Sequence, residues 1–146
     1  MAKEPFLATL RELARCYQAF EAYSAVHIRS LGLTPPQFDI VATLGNTPGM
    51  TFKELGEKTL ITKGTLTGVV DRLADKKLVR RVASPSDGRS QIVQLTATGE
   101  ALFARVFPEH IDYARRAFAP LSADELEHTR AVLARLRNAI ETVDTK

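Results

Sequence analysis

Apolar residues recur at helical spacing along most of the chain. Leu10, Leu13, Ala14, Tyr17 and Phe20 set the pattern and predict a helix from about Glu4 to Leu31, with Gly32 as its stop. A helix of that length, roughly 40 Å at 1.5 Å per residue, is long for a small globule, so part of it is expected to pack on another chain. LTPPQF at 33–38 is a second start signal: Thr34 as cap, Pro35 at the first helical position, Gln37 completing a capping box. This helix should reach about Gly45, ahead of a turn at Asn46-Thr47-Pro48-Gly49. Thr51 and Glu54 form another capping box, opening a short helix that ends near Lys58. After the tight link Thr59-Leu60-Ile61, Thr62 caps a helix from Lys63 to about Lys77. Leu78 to Ala83 and Gln91 to Leu95 are β-type runs joined through Pro85-Ser86-Asp87-Gly88, which reads as a hairpin with a charged tip. Thr96 then caps a long segment, Ala97 to Ala119, which Pro108 should kink. Ser122 and Glu125 open a last helix from Ala123 to about Val143. Leu126, Leu133 and Ile140 recur there every seven residues, as do Thr129, Leu136 and Val143, making a seam for another helix.

The expected fold is therefore mainly α with a small β-hairpin. Residues 34–96 read as one compact module; residues 1–33 and 97–146 read as helical arms. A two-stranded hairpin is only marginally stable alone, so it must lean on the module. The informative helix is 63–77. Leu66, Val69, Val70 and Leu73 form its buried stripe. Half a turn away lie Gly64, Gly68, Asp71 and Asp75, flanked by Thr65, Thr67 and Arg72. An exposed helical glycine costs about 1 kcal/mol relative to alanine. Close approach of another surface would justify two of them, leaving Lys63, Thr65, Thr67 and Arg72 to reach base edges or phosphates. The short helix before it, across a three-residue turn, completes a helix-turn-helix, and the hairpin after it makes the winged form. Arg89, at the tip, is then the residue to enter a minor groove. The plainer alternative is a surface arginine paired with Asp87.

Bulk properties agree with this reading without deciding it. The chain has 146 residues and a net charge of +3, compatible with a nucleic-acid partner. Its one cysteine excludes an intramolecular disulfide and fits a reducing cytosol. No apolar run approaches the roughly 18 residues of a membrane span, and the N-terminal MAKEPF has no apolar signal core, so a cytoplasmic protein is expected. The sequence shows no phosphate-binding glycine loop, nucleophile elbow or usefully spaced Cys/His pair, and His27, His110 and His128 lack close metal spacing. Neither an enzyme nor a cofactor nor a metal is expected.

LTPPQF at 33–38, TFKELGEKTLITKGTLTGVVDRL at 51–73 and DGRSQIVQLTATGE at 87–100 resemble the multiple-antibiotic-resistance regulator (MarR) family. The resemblance covers nearly the whole chain, and its D-x-R wing followed by L-T-x-x-G is the more specific part. It implies a winged-helix homodimer whose first, fifth and sixth helices form the dimerisation arm, and which binds double-stranded DNA as a transcriptional regulator, most often a repressor. Asp87 and Arg89 match the family's wing aspartate and arginine. Asp71 matches the aspartate of its D-R-L, which in relatives hydrogen-bonds the wing arginine and braces it. The DNA-facing set is then Thr62, Lys63, Gly64, Thr65, Thr67, Gly68, Arg72, Asp87, Arg89 and Ser90. Gly64 and Gly68 depart from the serine or larger polar residue of many relatives, which implies fewer direct base contacts and more backbone and shape readout. Family members release DNA when a small, often aromatic, effector binds between arm and module, where Tyr17, His27, Arg29 and Phe38 are candidates here. Oxidation of a cysteine can do the same, which makes Cys16 a candidate sensor. The rival reading is a winged-helix protein adaptor, against which stand Lys63, Arg72, Arg80, Arg81 and Arg89 on the helix-and-wing side.

Overall fold

Local start and stop signals set most element boundaries in the computed structural model, which describes residues 4–145. The first three residues of MAKEPF and Lys146 lie outside it. Helix α1 runs over Phe6–Ser30. It ends where Gly32 takes φ 82°, a left-handed conformation without penalty for glycine. That lets Leu33 donate back to the Ile28 carbonyl and Gly32 to that of Arg29. Helix α2 (Pro35–Leu44) begins with the full capping box: Gln37 N–H donates to the Thr34 hydroxyl, and Thr34 N–H to the Gln37 side chain. Its Ile40, Val41 and Leu44 are at most 1 % exposed and form the centre of the core.

The sheet has one strand more than the sequence predicts. Strand β1 (Met50–Thr51) pairs antiparallel with β3 (Gln91–Leu95), and β3 pairs with β2 (Val79–Ala83), giving the order β1-β3-β2. Two residues carry no periodicity; they become a strand because Val93 and Ile92 stand opposite them. Helix α3 (Phe52–Lys58) follows at once, capped by the Thr51 hydroxyl, which accepts from Glu54 N–H. The second half of the expected capping box is different: the Glu54 carboxylate takes the Thr51 hydroxyl rather than a backbone N–H.

Helix α4 (Lys63–Asp75) is two residues shorter than its pattern predicts. Lys77 adopts φ 61°, Leu78 N–H bonds the Leu73 carbonyl, and the chain turns straight into β2. At the other end Thr62 has N-cap backbone geometry, but its hydroxyl bonds that of Thr65 and caps no N–H. Helix α5 (Ala97–Phe118) is capped by Thr96, whose hydroxyl accepts from Gly99 N–H, and it continues through Pro108. Helix α6 (Ala123–Glu141) starts with the expected Ser122–Glu125 box and stops short of Val143.

The chain divides into two compact units between Ile111 and Asp112, within α5. The first holds the hydrophobic core, where α2, α3, α4, the sheet, Ile28 and the start of α5 bury eighteen apolar residues, Leu55, Leu73 and Val93 among the most enclosed. The second is the end of α5 with α6, a helix that buries none of its residues.

Candidate nucleic-acid interface

Helix α4 is two-faced. Leu66, Val69, Val70 and Leu73 are all at most 4 % exposed, so the helix is clamped to the core by an i, i+3, i+4, i+7 stripe. The other side shows Thr62, Lys63, Gly64, Thr65, Thr67, Asp71, Arg72 and Asp75 to solvent, with Gly68 partly open. A methyl group added at Gly64 or Gly68 would touch nothing within 4 Å. These glycines satisfy no internal packing need; they leave backbone bare on an open face.

The turn before α4 is fixed from below. Asp39 on α2 accepts from Leu60 N–H at 2.9 Å, and the Thr59 hydroxyl donates to the Leu55 carbonyl at 2.6 Å. Beside the exposed face, Thr34, Pro36 and Gln37 of α2 line a groove with Thr65, Val69 and Arg72 of α4. Gln37 also accepts from Lys76 at 3.3 Å, tying the two helices together.

The hairpin tip is shaped by Asp87. One carboxylate oxygen accepts from Arg89 N–H at 3.0 Å and the other from the Ser90 hydroxyl at 3.2 Å. Ser84 N–H donates to the Ser90 carbonyl and closes the loop. Asp87 is thus spent on the turn, as short acidic side chains at loop starts often are. The Arg89 guanidinium is not paired with it. Among the described residues neither Arg89, Lys63 nor Arg72 has an ion-pair partner. Asp71 does have one, and it is not the tip arginine: its carboxylate binds Arg81, on β2 at the base of the hairpin. The contact between α4 and the hairpin thus runs through Arg81 and not through Arg89. Arg80, one residue earlier, turns the other way and donates to Gln94 at 3.0 Å.

Residues considered for an effector separate into two groups. Phe38 and His27 both meet His110, a contact the sequence did not reveal. The Phe38 and His110 ring centres are 4.5 Å apart, and the Ser24 hydroxyl lies 3.1 Å from His110 Nε2. Tyr17 and Arg29 lie on exposed surface of α1. Cys16 is a free, exposed thiol on the same helix. No group of three metal-ligating side chains occurs among the described residues, and no helix of them is long and apolar enough to cross a membrane.

Residues 31–90 match the family model described as MarR family. The HTH-type transcriptional regulator MhqR of Bacillus subtilis (strain 168) is 32% identical over 124 residues, covering 85% of this chain and 86% of that protein. Among solved structures, Bordetella bronchiseptica BpsR, described by the mechanism for regulation of its DNA binding by 6-hydroxynicotinic acid, is 25% identical with a TM-score of 0.78, covering 99% of this chain and 100% of that one. Sco3205, a MarR family transcriptional regulator from Streptomyces coelicolor solved in complex with DNA, shares the fold at a TM-score of 0.84 and 23% identity, over 96% and 94% of the two chains.

Proposed function

The chain belongs to the MarR family of transcriptional regulators, and from that premise we propose that it works as a homodimer that represses by occupying a pseudo-palindromic operator. The observation that carries the reading is the division of α4: one face locked into the core, the other open, with two bare glycines and the unpaired cations Lys63 and Arg72. In this reading α4 enters a major groove. Lys63, Thr65, Thr67 and Arg72 contact base edges and phosphates, Thr62 sits at the entering end, and Gly64 and Gly68 let the helix backbone come close. The tip held by Asp87 and Ser90 delivers Arg89 to the adjacent minor groove, where narrow A·T-rich tracts attract a cation. DNA binding by Sco3205, through the same fold, supports the assignment.

Two copies are needed to read two half-sites about one helical turn apart. Apolar side chains left in solvent support pairing: Phe6, Leu7, Leu10 and Phe20 on α1, and Val132, Leu133 and Ile140 on α6. We assign residues 1–33 and 97–146 to that pairing and 34–96 to DNA. Release by a small aromatic effector is the regulatory counterpart, supported by the action of 6-hydroxynicotinic acid on BpsR. The test is selection of random duplex fragments by the purified chain, followed by sedimentation with and without DNA. The reading expects a dyad-symmetric consensus, a dimer, and a log–log salt slope of about −7 if each subunit neutralises about four phosphates. A monomer indifferent to every duplex at low salt would reject it.

A further inference from the structure

The face of α4 that this reading sends into the groove carries Asp71, a carboxylate where phosphates would arrive. Asp71 is held by Arg81. Arg81 is not a free surface cation. On β2 it shares a side with buried Val79, two residues before it, so its side chain starts on the helix side of the strand although the residue is exposed. Its guanidinium lies 5.4 Å from the centre of the Phe52 ring at the start of α3, while it binds Asp71 on α4. Its side chain is 31% exposed, against 53% for Asp71. One side chain thus joins α3, α4 and the base of the hairpin, and cancels the charge of a carboxylate on the open side of α4.

We propose that Arg81 is a positioning residue for DNA binding that acts through Asp71: it neutralises the carboxylate on the groove-facing helix, without itself contacting DNA. The physical reason is the sign of Asp71. Unpaired, it would be carried within a Debye length of the phosphates and partly stripped of water as the helix docks, and juxtaposed like charges in an interface oppose binding. Paired, it presents no net charge, and the guanidinium stacked on Phe52 has little freedom to lose. Arg89 is thereby left free for the groove, since the helix carboxylate is already occupied on the β2 side.

This inference rests on the proposed DNA-binding function, and the experiment separates the two. Affinities for the duplex selected by the wild-type protein are measured for Arg81→Ala, Arg80→Ala, Asp71→Asn and the double variant Arg81→Ala with Asp71→Asn. Arg80→Ala removes the same charge from the neighbouring position without uncovering Asp71. Expected is a loss of about tenfold or more for Arg81→Ala, the size of one good contact, and a clearly smaller loss for Arg80→Ala. Adding Asp71→Asn to Arg81→Ala should restore most of the affinity, which the repair of a merely structural defect would not do. Equal losses for the two arginine variants, or no rescue, would overturn the proposal while leaving the DNA reading intact. Failure of the wild type to bind any duplex removes both. Where Arg81→Ala is too unstable to assay, Asp71→Asn alone decides: it should bind at least as tightly as wild type, and a tenfold loss overturns the role given to Arg81.

Discussion

The Nδ1 atoms of His27 and His110 lie 2.9 Å apart, across 83 positions of sequence. One ring must donate and the other accept; two cationic rings would set N–H against N–H. Burial pushes the His110 pKa below its ordinary value near 6.5, and the charge of His27 pushes the same way. The fold therefore favours neutral His110. Below pH about 6.5 the unfolded chain takes up a proton that the folded chain refuses, so this stabilisation is complete above that pH and declines as pH falls toward the depressed value. Denaturant unfolding at a series of pH values should show that acid-side decline, at most about 1.4 kcal/mol per pH unit for one proton. His110→Gln should flatten it. An unchanged profile in the variant would place the acid sensitivity elsewhere.

Arg89 is expected to matter for DNA and not for the fold. Its guanidinium supports nothing internal, while its N–H closes the tip on Asp87, a bond that alanine keeps. Arg89→Ala should lower operator affinity 10-fold or more, from about 1–3 kcal/mol per good contact, with an unchanged melting temperature. Fluorescence anisotropy against the selected duplex measures the first and thermal unfolding the second. Unchanged affinity would remove the tip from the interface.

What the sequence made legible is what neighbours in the chain decide. The boxes at Thr34–Gln37 and Ser122–Glu125 and the buried stripe of α4 all rest on spacings of a few residues, and each stands where the pattern placed it. What stayed hidden depends on partners far along the chain. Strand β1 exists because β3 lies beside it. Arg81 rather than Arg89 takes Asp71 because strand alternation puts Arg81 on the helix side. The end of α4 falls short of its pattern for a local reason: Lys77 takes a left-handed conformation usually left to glycine or asparagine, so the sequence carries no stop signal there.

Two glycines should respond in opposite ways to alanine. At Gly68 a methyl group meets open space, and the helix gains about 1 kcal/mol in propensity. Gly68→Ala should therefore unfold later yet bind operator more weakly, because the methyl stands on the face meant to approach DNA. At buried Gly99 a methyl group would collide with the Leu78 carbonyl oxygen, backbone that cannot yield cheaply. Gly99→Ala should cost about 1–3 kcal/mol or more, the usual range for overpacking. Paired thermal melts and binding titrations test both. If Gly68→Ala binds as well as wild type, close approach is not why that glycine is there.

Asp39 offers a separate test of how the helix-turn-helix is held. Its carboxylate accepts from Leu60 N–H, so α2 fixes the turn that delivers α4. Burial raises its pKa above the ordinary carboxylate value, and the bonds from Leu60 and Thr43 only partly offset this. A raised carboxylate pKa means that ionisation is disfavoured in the fold: the contribution is favourable below the unfolded pKa and is lost as pH rises through the folded one. At neutral pH the negative charge is thus a burden, whereas the hydrogen bond is an asset. Asparagine keeps an acceptor for Leu60 and sheds the charge; alanine loses both. Asp39→Asn should be at least as stable as wild type at pH 7. Asp39→Ala should lose about 1 kcal/mol, the net worth of a typical hydrogen bond, and loosen the turn. Amide hydrogen exchange at Leu60 reads the local effect, with slow exchange expected in wild type and Asp39→Asn and fast exchange in Asp39→Ala. Should Asp39→Asn instead be the less stable variant, the ionised bond outweighs its desolvation and the charge of Asp39 is a net asset to the fold.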